Sequence, residues 1–138
     1  MEVEPTCAGF EELAHTADVA VKVWGRDREE LFHQAALSLY HIMGIATLHQ
    51  MATKKQIHLA DLDVESLLVS FLSNLLVAAE NGIAFDHFAI AIIDTTLEAS
   101  LTGSRIIKQE REVKAVTYHD LKIEKQENRF EVVIVFDV

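Results

Sequence analysis

Cysteine, proline and glycine are all scarce in this chain. The single cysteine, Cys7, has no second thiol to pair with, which excludes an internal disulfide framework and suits a reducing compartment. One proline and five glycines in 138 residues exclude a collagen-like repeat or a Pro-rich linker. Basic residues are outnumbered: 12 Lys and Arg stand against 22 Asp and Glu, a formal net charge of −10. No apolar run approaches the ~20 residues that cross a bilayer as a helix, so no membrane association is expected. Residues 1–10 carry Glu2 and Glu4 and no basic n-region, unlike a secretory signal. A cytoplasmic protein is the expectation.

What the chain does have is apolar surface to bury. Hydrophobic residues make up 50% and charged residues 25%, which excludes intrinsic disorder. The length fits one domain, residues 1–138, with a continuous core. Charge is unevenly spread, with 5 basic and 15 acidic side chains over residues 1–104 and 7 of each over residues 105–138. The densest basic cluster, Arg105, Lys108, Arg111 and Lys114, is interrupted by Glu110 and Glu112. Nucleic-acid binding draws affinity from counterion release by a basic surface, so direct binding is not expected. A basic protein partner or a bound cation suits the field.

Periodicity organises the chain into strands and two helices. Val19, Val21 and Val23 alternate with Asp18, Ala20, Lys22 and Trp24, the pattern of a half-buried strand. Asp27 and Glu30 open a helix of about four turns in capping-box spacing, and Gly44 suits its C-terminal stop. Thr53 to Leu59 reads as a polar strand at a sheet edge. Asp61 or Asp63 caps a second helix, whose Val64, Leu67, Leu68, Phe71, Leu72, Leu75, Leu76 and Ala79 share one face up to Asn81-Gly82. Strands are then expected at Phe88–Ile93, Thr96–Leu101, Val113–Glu124 and Phe130–Phe136, with Gly103-Ser104 as a turn and Lys125–Arg129 as a hairpin connection. This order implies an α+β domain, two amphipathic helices packed on a largely antiparallel or mixed β-sheet.

Phosphate loops, nucleophile elbows, zinc-protease helices and paired C-x-x-C motifs are all missing. Three polar placements remain. His15-Thr16-Ala17-Asp18 sits at the mouth of the first valine strand, where a plain turn with Asp18 bonding backbone amides is the simpler reading. Asp137 and the carboxylate of Val138 follow an apolar strand directly. Carboxylates so close repel unless a cation joins them, and hard divalent cations favour oxygen ligands. Solvated charge at a chain end is the alternative. Lys114-Ala-Val-Thr-Tyr-His-Asp120 is unusually polar for a strand; His119 reads as a hydrogen-bonded core residue or as a tuned imidazole. Trp24 points away from the valine face, into a second layer or a binding surface.

Together, Phe10-Glu-Glu-Leu-Ala-His-Thr-Ala-Asp-Val19, Val113-Lys-Ala-Val-Thr-Tyr-His-Asp-Leu-Lys-Ile123 and the terminal Val135-Phe-Asp-Val138 resemble the archease family over nearly the whole chain. The resemblance implies an accessory protein of the GTP-dependent RNA ligase that joins tRNA halves in tRNA splicing. Such a protein promotes guanylylation of the ligase and its multiple turnover without a catalytic nucleophile of its own. It also implies a divalent cation bound by Asp18, Asp137 and Val138, with His15, Lys114, Thr117 and His119 at further motif positions. Oxygen-only ligation fits Mg²⁺, Mn²⁺ and Ca²⁺ alike. Two features depart from the family pattern: Ser70 to Asn74 replaces an acidic, Trp-containing run, and Gly103-Ser104 stands where relatives often have Gly-Glu. A second reading is a chaperone-like or scaffold module that binds a basic partner, with a structural metal. A stand-alone metal-dependent hydrolase is poorly supported, because two side-chain carboxylates without a positioned base make a thin active site.

Overall fold

The structure, a computed structural model, describes residues 7–13 and 18–138. The valine alternation becomes β2 (Val19–Gly25), preceded by β1 (Gly9–Leu13). Then follow α1 (Arg28–Met43), β3 (Ala46–Thr47), β4 (Thr53–Ala60) and α2 (Val64–Glu80). The remainder is β5 (Ile83–Ile93), β6 (Thr96–Lys108), β7 (Ala115–Thr117), β8 (Glu124–Gln126) and β9 (Arg129–Asp137). The α+β expectation holds, with every strand pair antiparallel and the strands divided between two sheets. One runs β1-β2-β9-β7, with β8 also on β9; in the other, β6 lies between β4 and β5 and also pairs β3. Neither β1 nor β3 shows a periodicity the sequence reading had picked up.

Both helices start as their sequences predict. Asp27 accepts the Glu30 N–H at 2.8 Å and Asp63 the Ser66 N–H at 2.7 Å, so Asp63, not Asp61, is the second cap. Asp61 instead accepts the Ser70 hydroxyl at 2.7 Å. The capping box of α1 closes one residue early. Glu30 takes the N–H of Arg26 at 2.9 Å and its guanidinium at 2.8 Å, which holds the Glu30 carboxyl below its usual range. Gly44 stops α1 at φ 62°. The apolar face of α2 is buried as expected. Phe32 of α1 meets Phe71 of α2 at 5.8 Å between ring centroids, in a core shared with Val21, Val23, Leu97, Leu101, Ile134 and Phe136.

Three expectations fail. Gly103 and Ser104 make no turn; they lie inside β6, buried. A Cβ on Gly103 would stand 2.0 Å from the carbonyl oxygen of Ala84, so the glycine serves a close strand approach at the β5 bulge between Phe85 and His87. The long strand expected over Val113–Glu124 is two short ones separated by a turn, in which the Leu121 N–H donates to the Tyr118 C=O at 3.1 Å and Asp120 adopts φ 50°. The buried residue of β7 is Val116, with Ala115 exposed and Thr117 half-buried. His119 is consequently exposed beyond the end of β7, not a core residue. The hairpin connection also contracts to the two residues 127–128, because Lys125 pairs with Phe130 and Gln126 with Arg129.

Candidate metal centre

The inner sheet register decides whether the two acidic segments can meet. Val19 pairs with Phe136 at the end of the β2–β9 ladder. Continued by one residue, that register sets Asp18 against Asp137. Cross-strand partners share a face, and this is the face turned from the helix-packed core, because Val19, Val21, Ile134 and Phe136 belong to that core while Ala20 and Val135, also buried, lie outside it. Asp137 also pairs with Ala115 of β7, and its carbonyl accepts the Lys114 N–H at 2.7 Å. Asp18, Asp137 and Val138 are each half-buried. The side chain of Val138 packs against the core.

Of the other motif positions, Lys114 reaches this corner by its backbone, while its side chain is exposed. Thr117 pairs with Val135 on the same face and accepts the His119 N–H on Oγ1 at 3.3 Å. His119 itself turns to Asp120, with Nε2 3.2 Å from Oδ2. His15 lies outside the described residues. Among the described residues no three His, Cys, Asp or Glu side chains form a group able to hold an ion. The donor set here is two side-chain carboxylates beside Val138, all oxygen, the chemistry of hard divalent cations.

The ladder on the outer edge of β9 is interrupted. β7 pairs residues 135–137 and β8 residues 129–131, and at the gap a pocket of about 160 Å³ opens between Lys22, Asp120, Lys122, Glu124, Glu131 and Val133. The sequence signals for it are Lys22, a charge inside the valine strand, and Asp120 at the end of the polar segment 114–120. Trp24 lies farther along the same face, with the Arg129 guanidinium 5.4 Å from its ring centroid. Trp24 is half-buried there.

Displaced ionisation lies elsewhere and serves folding. Burial pushes the Tyr40 hydroxyl up to about 12 and lowers His33. Asp86 is held below its usual range: burial opposes this, but bonds from His87 and His49, at 3.0 and 3.1 Å to its two oxygens, outweigh it. Glu29 of α1 and Glu65 of α2 accept the N–H of Ile92 at 3.1 Å and of Ile123 at 2.9 Å. No helix among the described residues is long and apolar enough to cross a membrane.

Comparison with known proteins agrees with the fold. Residues 10–138 match the Archease protein family (MTH1598/TM1083). A protein archease of Sulfurisphaera tokodaii is 30% identical over 136 residues, covering 94% of this chain and 98% of that protein. Another from Methanosarcina barkeri is 34% identical over 139 residues, covering 94% and 95%. Among solved structures, an archease and possible chaperone from Thermotoga maritima superposes with a TM-score of 0.71 at 26% identity, covering 93% of this chain and 96% of that one. The solution structure of Methanobacterium thermoautotrophicum protein 1598 gives 0.70 at 27%, covering 94% and 99%. With a family match across nearly its whole length and relatives of the same size and fold, the chain belongs to the archease family.

Proposed function

We propose that this protein activates a GTP-dependent tRNA-splicing RNA ligase, promoting guanylylation of the ligase and so its multiple turnover. Archease membership supports an accessory, chaperone-like role with a protein partner. The observation that supports the finer reading is the β2–β9 register, whose last pair, Val19↔Phe136, leaves Asp18 and Asp137 as the next residues on the two strands. In this reading Asp18, Asp137 and Val138 hold a divalent cation, Ca²⁺, Mg²⁺ or Mn²⁺. Such an ion supplies charge neutralisation on phosphate oxygens. The chain's own residues would position the carboxylates: the Lys114 N–H, just ahead of β7, holds the Asp137 backbone, and Phe136 anchors the strand end in the core. No nucleophile is required of the accessory protein, so the reading is non-enzymatic; it is also cytoplasmic, and the acidic charge balance argues against direct nucleic-acid contact.

Asp18→Ala and Asp137→Ala are expected to lower stimulation at least about tenfold, the effect of losing ~1.4 kcal/mol or more at the step assisted, with unchanged circular dichroism. The assay is guanylylation of a cognate ligase at limiting GTP, with and without this protein. Normal stimulation by both variants refutes the proposal. The scaffold reading, favoured by the net charge of −10, predicts instead that reversing the exposed Glu11 and Glu12 of β1 is the more damaging change. Glu29 and Glu65 are unsuited to that comparison because each satisfies a backbone N–H.

A further inference from the structure

The second sheet ends in two very different edges. On one side α1 seals β5: Glu29 accepts the Ile92 N–H at 3.1 Å, the Tyr40 hydroxyl accepts the Phe85 N–H at 3.1 Å, and Arg28 donates to the Asp94 C=O at 3.0 Å. On the other side β4 pairs residue for residue with β6 from Thr53↔Gly103 to Ala60↔Thr96, without a register shift. Among the described residues no strand lies on its outer side. A long, regular edge of this kind offers a row of main-chain donors and acceptors to an incoming strand.

The chemistry along β4 is graded. Residues 1–104 contain five bases. Lys22 stands 3.9 Å from Glu131, Arg26 binds Glu30 and Arg28 binds the Asp94 carbonyl. Lys54 and Lys55 remain, and among the described residues neither has a carboxylate within 4.0 Å. Being consecutive in a strand, they flank the edge on both faces. Toward the other end the edge is apolar on its inner face, where Ile57 is buried and Leu59 packs against the core. On the outer face Gln56 and His58 are already engaged by Ser100 and Glu98.

We propose that β4 is a docking edge for an extended acidic segment of a partner protein, added antiparallel to the strand. Its carboxylates lie against Lys54 and Lys55, and apolar side chains preceding them lie beside Ile57 and Leu59. This surface is independent of the Asp18–Asp137 corner. Among the described residues the two cations have no carboxylate partner, in a chain of net charge −10, and a carboxylate-bearing strand supplies one on both faces.

The test uses the full chain and the synthetic peptide Thr-Val-Thr-Val-Thr-Glu-Glu-Thr, fluorescein-labelled for anisotropy and unlabelled for amide hydrogen exchange. Binding with exchange protection confined to β4 is expected. At least tenfold weaker binding is expected for Lys54→Glu/Lys55→Glu, for the exposed Lys54→Glu alone to a lesser degree, and for a control peptide with lysines in place of glutamates. Circular dichroism and thermal melting establish that the variants are folded. Protection elsewhere, equal affinity after charge reversal, or equal binding of the lysine peptide overturns the proposal. So does an oligouridylate of eight nucleotides that binds β4 while the acidic peptide does not, which would mark the lysines as a phosphate contact.

Discussion

Asp86 shows how one side chain links elements that the sequence keeps far apart. It sits at the β5 bulge and receives His49 from the β3–β4 loop and His87 from its own strand. Its pKa is lowered from the model-peptide value of 3.8, so its stabilisation is present above about pH 3.8 and is lost as pH falls through the lower folded value. Asp86→Asn is expected to cost roughly 0.5–1.5 kcal/mol near pH 6. Urea midpoints measured at pH 6 and pH 3 check this: the gap to wild type should narrow at the lower pH, and an equal gap would contradict it. None of this was legible in the sequence, where His49 and His87 carry no spacing signal. Gly103 was misread for a related reason. A glycine beside a serine resembles a turn, and the demand it meets, room for the Ala84 carbonyl, comes from another strand.

Helices were the most legible elements, because capping and the 3.6-residue period are local properties. Asp27, Gly44 and the leucine face of α2 all stand where their sequence places them. Strands were read with mixed success. Alternation located β2, β4 and β9, but in the segment 113–124 it could not tell a continuous strand from two short ones around a turn, since turn formation there depends on how β9 passes. Alternation was also blind to which edge a helix covers. Tyr40 illustrates this: its sequence position marks it as core, while its hydroxyl seals the β5 edge by accepting the Phe85 N–H. Tyr40→Phe leaves that N–H buried without a partner and is expected to destabilise by about 1–3 kcal/mol. Chemical denaturation should show the loss, and hydrogen exchange should show faster exchange at Phe85. Unchanged protection at that amide would remove the sealing role.

For the whole molecule, the central consequence of the two-sheet arrangement is that β2 and β9, distant in sequence, are neighbours. Asp18 precedes the first and Asp137 ends the second, so the proposed cation site depends on one antiparallel register. If they bind a divalent cation, the native state gains RT ln(1 + [L]/Kd), about 2.7 kcal/mol at a hundredfold excess over Kd. The melting temperature should therefore rise with added Ca²⁺, Mg²⁺ or Mn²⁺, fall back on chelation, and stay flat in Asp18→Ala. An equal rise in that variant would place the ion elsewhere. The sequence carried the composition, the two helices, the α+β class and the motif residues, because each rests on local pattern or on residue identity. Tertiary structure alone settled the division into two sheets, the sealed and open edges, the true place of Gly103 and the β2–β9 register that ends at Val19 and Phe136. Those depend on contacts between segments up to a whole chain length apart, and no local periodicity encodes a register between strands.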